Sequence, residues 1–297
     1  MMSIRLSLIV LFLVFLSCKD TNKQAIETFN PALKPSALIE TFRYQPNASP
    51  WISAHRGGVG IANYPENCLE TIKYVNDSIA AVFEIDVAKT KDGVLVLMHD
   101  NTLERTTTGT DKLTKYTFKE LQEFQLVDDY GTMTNFKIPK FTDVLAWSKA
   151  NNAILTIDIK KSVDVAEVIQ AIRENHAEDI SVIITYDMEQ ARKAYMLAPE
   201  LLLSVSARNQ QELEWLLKSE IPTNNMIAFT GTKLSDTSLY YNLHKNGIKT
   251  MLGTLGNLDK QAEAKGDSLY IKWQKLGIDV FATDRPFEAA KALNIVK

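Results

Sequence analysis

Eight short apolar runs alternate with segments of helical periodicity along most of this 297-residue chain, and that alternation leaves few architectures open. The runs cover residues 52–55, 81–87, 154–159, 180–185, 201–205, 226–229, 248–252 and 278–282. Between them, residues 163–172, 188–197, 210–217, 239–244 and 269–276 place apolar side chains at helical spacing. Most of the runs are nearly continuous in apolar character, as strands of a parallel sheet covered on both faces must be. Eight strand–helix units in about 250 residues is the size of a (β/α)8 TIM barrel. A doubly wound open sheet is the competing architecture. One interruption stands out between the second and third runs, where residues 93–99 read as a further strand and 117–124 as a short helix. An excursion of that length is more often functional than accidental.

The N-terminus speaks to compartment. Arg5 precedes an apolar stretch over residues 6–16, broken only by Ser7, and Ser17-Cys18 follows. Such a stretch is too short to span a bilayer comfortably and suits the core of a signal peptide. The ending Phe15-Leu16-Ser17-Cys18 resembles a bacterial lipoprotein signal, with Phe15 a departure from its usual aliphatic residue. The resemblance implies a signal peptide over 1–17, acylation of Cys18 and attachment to a membrane in the cell envelope; plain secretion is the alternative. Residues 18–50 are polar, with Pro31, Pro35 and Pro46, and read as a tether that adds little to any core, ahead of a barrel over 51–297. Cys68 is the only other cysteine and reads as a small buried residue; with Cys18 acylated no internal disulfide can form. A net charge of −3 and the lack of a basic run give no support to nucleic acid as a partner.

Barrel enzymes carry their chemistry at the C-terminal ends of the strands. The first run ends in His55-Arg56-Gly57-Gly58, the second holds Glu84-Ile85-Asp86, and the third holds Asp158-Ile159-Lys160. Side chains alternate faces along a strand, so Glu84 and Asp86 point one way, as do Asp158 and Lys160. Three carboxylates in otherwise apolar strands are costly without compensation, and a hard divalent cation, Mg2+ or Ca2+, is the economical partner. Lys160 as a buried salt bridge explains one of the three. His55 precedes two glycines that let backbone approach a ligand closely. His99 follows the apolar run 94–98 and precedes Asp100, which can orient it. A cation, two histidines titrating near working pH, an arginine and a lysine suit phosphodiester cleavage. No nucleophile motif of a phosphomonoesterase is evident. His176 and His244 fall in polar helical surroundings and read as surface residues.

In order and spacing, His55-Arg56-Gly57-Gly58, Pro65-Glu66-Asn67, Glu84-Ile85-Asp86-Val87, Lys91-Asp92-Gly93 and Met98-His99-Asp100 resemble the glycerophosphodiester phosphodiesterase family. Leu103-Glu104-Arg105-Thr106-Thr107, Ile138-Pro139, Ile157-Asp158-Ile159-Lys160 and Thr283-Asp284-Arg285-Pro286 extend the similarity to the C-terminus. The resemblance implies a TIM barrel with a small subdomain inserted after the second strand, here at about 88–137. It implies His55 and His99 as the acid/base pair, and Arg56 and Lys160 near the phosphate. It makes Glu84 and Asp86 metal ligands, with Asp158 and Glu66 at or beside that site. Two departures follow. Asp158 stands where the family usually has a longer Glu, and Met251-Leu252-Gly253-Thr254-Leu255-Gly256 replaces a usual tryptophan–threonine pair on the seventh strand.

The expected activity is metal-dependent hydrolysis of a small glycerophosphodiester to glycerol 3-phosphate and an alcohol. A lipid phosphodiesterase of phospholipase C or D type on the same fold is one alternative. A lipoprotein that binds a phosphorylated ligand without turning it over is another.

Overall fold

A computed structural model describes residues 34–295. The signal-peptide reading and Cys18 fall outside the described residues. Nine strands form one sheet: β1 (Trp51–Ala54), β2 (Val82–Lys89), β3 (Leu95–Leu97), β4 (Leu155–Ile159), β5 (Ser181–Ile184), β6 (Leu202–Ser206), β7 (Met226–Phe229), β8 (Lys249–Gly253) and β9 (Val280–Thr283). All but β3 run parallel to their neighbours, and β1 pairs with both β9 and β2, so the sheet closes on itself as a (β/α)8 TIM barrel. The open-sheet alternative is thereby excluded. β3 is appended antiparallel to the outer half of β2, with Val87 opposite Leu97 and Lys89 opposite Leu95.

The near-continuous apolar strands are explained by two environments. Phe83, Ile85 and Val87 of β2, Ile157 of β4 and Phe281 of β9 turn outward into the layer beneath the helices. The alternate residues Val82, Val182, Leu202, Ile227 and Val280 turn inward and fill the barrel's N-terminal half. Toward the other end the inward positions become polar, Glu84 and Asp86 on β2 and Thr156 and Asp158 on β4. The covering helices α5 (Val165–Glu174), α6 (Met188–Leu197), α7 (Gln210–Leu217) and α8 (Thr237–Lys245), numbered in chain order among the described residues, begin at side-chain caps. Asp164, Asp187, Asn209 and Asp236 each accept a backbone N–H there.

The stretch read as a tether behaves otherwise from its middle onward. Leu38, Ile39 and Phe42, from the short first helix α1 (Leu38–Thr41) and its end, are buried against the inward layer and close the N-terminal end of the barrel. Phe42 lies 4.9 Å from the Trp51 ring, and the buried Lys249 ammonium sits 5.6 and 5.8 Å from those two rings. The expectation that everything before residue 50 contributes little to a core is therefore corrected. His244 is also not a surface residue: its Nε2 pairs with Asp279 at 2.8 Å and its ring stacks on Tyr44 at 3.8 Å. His176 is exposed, as expected.

The insertion between β2 and helix α4 (Phe141–Ala150) has a small core of its own, where Val96, Met98, Leu103, Leu113, Leu121 and Leu126 gather over Ala88 and Cys68. Its strand and helix are shorter than the sequence suggests: β3 keeps only 95–97, and helix α3 (Phe118–Leu121) starts from a Thr117/Glu120 capping box. Loop 128–130 clips the insertion to the barrel. Asp128 accepts the Asn63 N–H at 2.7 Å, Asp129 accepts the Gly60 N–H at 2.6 Å, and the Tyr130 hydroxyl donates to the Gly60 carbonyl at 2.9 Å. Among the described residues, no helix is long and apolar enough to cross a membrane.

Candidate active site

At the exit of β1 the chain turns sharply. Arg56 adopts a left-handed backbone (φ 52°) that aims its N–H at Glu84 Oε2, 2.8 Å away. Gly57 follows at φ 77°, and a Cβ there would stand 2.8 Å from Ile72 of helix α2 (Leu69–Ser78). The two glycines thus admit close packing of α2 at this turn.

The carboxylates of Glu84, Asp86 and Asp158 converge, with one oxygen of each within 4.8 Å of the others. Asp158 reaches the cluster despite its shorter side chain. Lys160 Nζ bridges Asp86 Oδ1 at 2.5 Å and Asp158 Oδ2 at 2.7 Å. Asn67 fixes Asp86 from the other side, donating from Nδ2 at 2.6 Å and accepting the Asp86 N–H at 2.9 Å. Burial, together with the neighbouring Asp86 charge, pushes the Glu84 carboxyl up to about 8. Asp86 is buried as well, but the Lys160 ammonium and the hydrogen bonds outweigh that and hold its carboxyl low. One lysine therefore serves two carboxylates and leaves the third short of positive charge. An oxygen-only donor set with an excess of negative charge fits a hard divalent cation.

Glu66 does not join this cluster. Its buried carboxylate takes the forked Nη1 and Nη2 of Arg105 at 2.8 and 2.8 Å, and Nη1 of Arg56 at 3.1 and 3.0 Å. Glu66, expected at or beside the metal site, stands beside the three carboxylates rather than among them, with two guanidinium groups taking both its oxygens. Arg56 keeps a buried Nε with no hydrogen-bond partner, in a looser ion pair 3.8 Å from Asp86 Oδ2.

Both histidines are held at Nδ1 by a carboxylate. His55 Nδ1 meets Asp284 Oδ1 at 2.7 Å, and His99 Nδ1 meets Asp100 Oδ1 at 2.6 Å. Burial works against the His55 imidazolium, but the Asp284 hydrogen bond and the charges of Glu84 and Asp284 outweigh it and raise the pKa. The Arg105 hydrogen bond is the main reason the Asp100 carboxyl lies at about 2. Asp284 is anchored in turn. Its N–H donates to the buried Asp259 at 2.8 Å, which also receives the Tyr270 hydroxyl at 2.7 Å.

His55, His99 and the three carboxylates line a single cavity of about 290 Å3 at the barrel mouth. Its far wall is largely apolar, formed by Ile184, Phe229, Met251 and Leu255, so the segment that departs from the family's usual pair supplies two wall residues. Tyr186 also lines it, half-exposed, with a phenol that reaches Asp158.

The geometry agrees with what the chain is similar to. The model of the glycerophosphoryl diester phosphodiesterase family matches residues 55–287. The chain belongs to this family. The family's enzymes are phosphoric diester hydrolases, and this chain is an enzyme of that class. It is 25% identical over 241 residues to a glycerophosphodiester phosphodiesterase of Caldanaerobacter subterraneus subsp. tengcongensis, covering 79% of this chain and 94% of the relative. A crystal structure of a glycerophosphoryl diester phosphodiesterase from Parabacteroides distasonis superposes with a TM-score of 0.82 at 34% identity, over 86% of this chain and 90% of that one. An Oleispira antarctica phosphodiesterase, solved with the product sn-glycerol-3-phosphate, shares the fold at a TM-score of 0.67 and 19% identity, over 83% and 97% of the two chains.

Within the family pattern, the structure brings together His55, Arg56, Glu84, Asp86, His99, Asp158 and Lys160, and sets Glu66 behind Arg56. Sequence reasoning missed Arg105, Asn67, Tyr186 and the role of Asp284. Arg105, Asn67 and Asp284 lie in segments already matched to the family; Tyr186 had no such signal.

Proposed function

We propose that the chain hydrolyses glycerophosphodiesters to glycerol 3-phosphate and an alcohol, using a divalent cation and two histidines. One observation carries the reading: two imidazoles, each fixed at Nδ1 by a carboxylate, line the same cavity as a three-carboxylate cluster. Glu84, Asp86 and Asp158 would hold the cation, which when bound supplies positive charge to the non-bridging phosphoryl oxygens. The chain's own groups supply the rest. With Nδ1 engaged, each histidine keeps Nε2 for proton transfer. One takes the proton of the attacking water as its oxygen bonds to phosphorus. The other gives a proton to the bridging oxygen as the bond from phosphorus to the alcohol breaks. Arg56, whose Nε has no hydrogen-bond partner, and Lys160 stabilise the anionic phosphoryl group.

The same proposal includes export and acylation at Cys18, which rests on the sequence. The test of the activity is a product assay of the full chain against glycerophosphodiesters and lysolipids, with and without added Mg2+ or Ca2+. Metal-dependent release of glycerol 3-phosphate is expected. Turnover confined to lysolipids would move the assignment to a lipid phosphodiesterase. Mass spectrometry of the mature N-terminus tests the anchor, and a lipid-free start elsewhere leaves plain secretion.

A further inference from the structure

The inserted subdomain brings more to the mouth of the barrel than His99. Arg105, from the same insertion, engages two carboxylates at once. Its Nε donates to Asp100 Oδ2 at 2.6 Å, while Nη1 and Nη2 fork onto Glu66 at 2.8 and 2.8 Å. Asp100 uses its other oxygen on His99 Nδ1, and Glu66 holds Arg56 Nη1. An unbroken run of contacts thus joins an imidazole of the insertion to an arginine of the barrel, the anions Asp100 and Glu66 alternating along it with the cations Arg105 and Arg56. That balance is what lets Glu66 remain at depth, because a buried carboxylate is tolerated only when paired and hydrogen-bonded.

We propose that Arg105 is a positioning residue that sets His99 and Arg56 jointly, so that one side chain of the insertion aligns a proton-transfer group and a phosphate-contacting group. The proposal rests on the phosphodiesterase reading above for the roles of those two groups. Arginine is required because three of its donors leave a rigid plane in two directions. A lysine in its place presents a single nitrogen, which does not reproduce the separate Nε contact to Asp100 and forked Nη contacts to Glu66. The bland alternative is a docking ion pair: Arg105 is 43% exposed, and exposed pairs contribute little beyond holding surfaces together. The alternatives differ in what each substitution disturbs.

The experiment compares Arg105→Lys, Glu66→Gln and Asp100→Asn in the full chain. It follows thermal midpoint, kcat, KM and the His99 Nδ1 proton resonance, assigned with His99→Gln. In the parent protein the short Nδ1–H contact to Asp100 should place that resonance far downfield. Arg105→Lys should shift it and lower kcat on the order of 10- to 100-fold, since small misplacements of reacting groups cost that much. Glu66→Gln leaves the Asp100–Arg105 contact in place, so the resonance should persist while KM rises as Arg56 loses its support. Asp100→Asn severs the run at its other end and should reproduce the His99 change with KM unaltered, even if Arg105→Lys proves too unstable to study. An unchanged His99 resonance and kcat in Arg105→Lys, or in Arg105→Gln should the lysine variant prove too unstable, overturns the proposal. Should the parent protein hydrolyse no diester, the activity reading fails, while the resonance still decides whether Arg105 positions His99.

Discussion

His55 and Asp284 are separated by 229 positions in the chain and by 2.7 Å between Nδ1 and Oδ1. The contact ties the first strand of the barrel to the turn after the last, across the seam where β1 pairs with β9. It fixes the tautomer of His55 and favours its charged form. Asp284 itself is held low chiefly by the His55 hydrogen bond and charge, against its burial.

Replacing Asp284 by Asn should therefore act through pH. The native contact raises the His55 pKa, and without it burial dominates and the pKa falls. The limb of the kcat/KM profile that belongs to His55 should move to lower pH in Asp284→Asn. A profile unmoved in position, with only its height reduced, would assign Asp284 a purely orienting part.

Cation binding should release a proton near neutrality. The Glu84 carboxyl, at about 8 in the free protein, is protonated below that value and must ionise to serve as a ligand. Affinity for Ca2+ or Mg2+ should therefore rise with pH up to about 8 and flatten above it. Calorimetry in buffers of different ionisation heat measures the proton directly. Glu84→Gln should weaken binding and remove the proton, and EDTA should abolish turnover in the parent protein. Turnover that survives exhaustive chelation would take the cation out of the mechanism.

The two histidines should be separable by substrate. Replacing either with Ala removes a proton-transfer contribution of about 10²–10⁴-fold in rate. Because both act on one transition state, the double variant should lose far less than the product of the single losses. A nitrophenyl diester hardly needs an acid, so the variant lacking the general acid should recover on it and the other should not. Full activity of His55→Ala or His99→Ala would end the division of labour.

Stability should depend on residues ahead of the first strand. Phe42 is buried under the barrel, and Phe42→Ala should cost about 3–5 kcal/mol in urea unfolding. Kinetic constants should change little under folding conditions, since Phe42 packs with the layer at the barrel's N-terminal end. A loss below about 1 kcal/mol would mean that the end of the barrel repacks without it.

The strands were legible because burial on both faces writes itself into local composition: residues 226–229 were read to the residue as β7, and most others within two. Motif order led to His55, His99, Glu84, Asp86 and Asp158 for the same reason, as each sits within or just beyond a recognisable run. What escaped was pairing at a distance. The family resemblance put Glu66 at or beside the metal site, and nothing local announced that Arg56 and Arg105 would take both its oxygens. His244 looked polar and helical, yet Asp279 and Tyr44 enclose it. Leu38, Ile39 and Phe42 escaped because four helical residues are too few to display a period.

With Val82, Val182, Leu202, Ile227 and Val280 filling the barrel's N-terminal half and Phe42 packed beneath them, the cavity among the described residues opens at the C-terminal end of the strands. Water, diester, alcohol and phosphate ester all pass the same rim, between the histidines and the wall of Phe229, Met251 and Leu255. Traffic of that kind makes each product an obstacle to the next substrate. Either product, accumulating outside, should inhibit competitively, and the rate of emptying should respond to changes at Phe229, Met251 and Leu255.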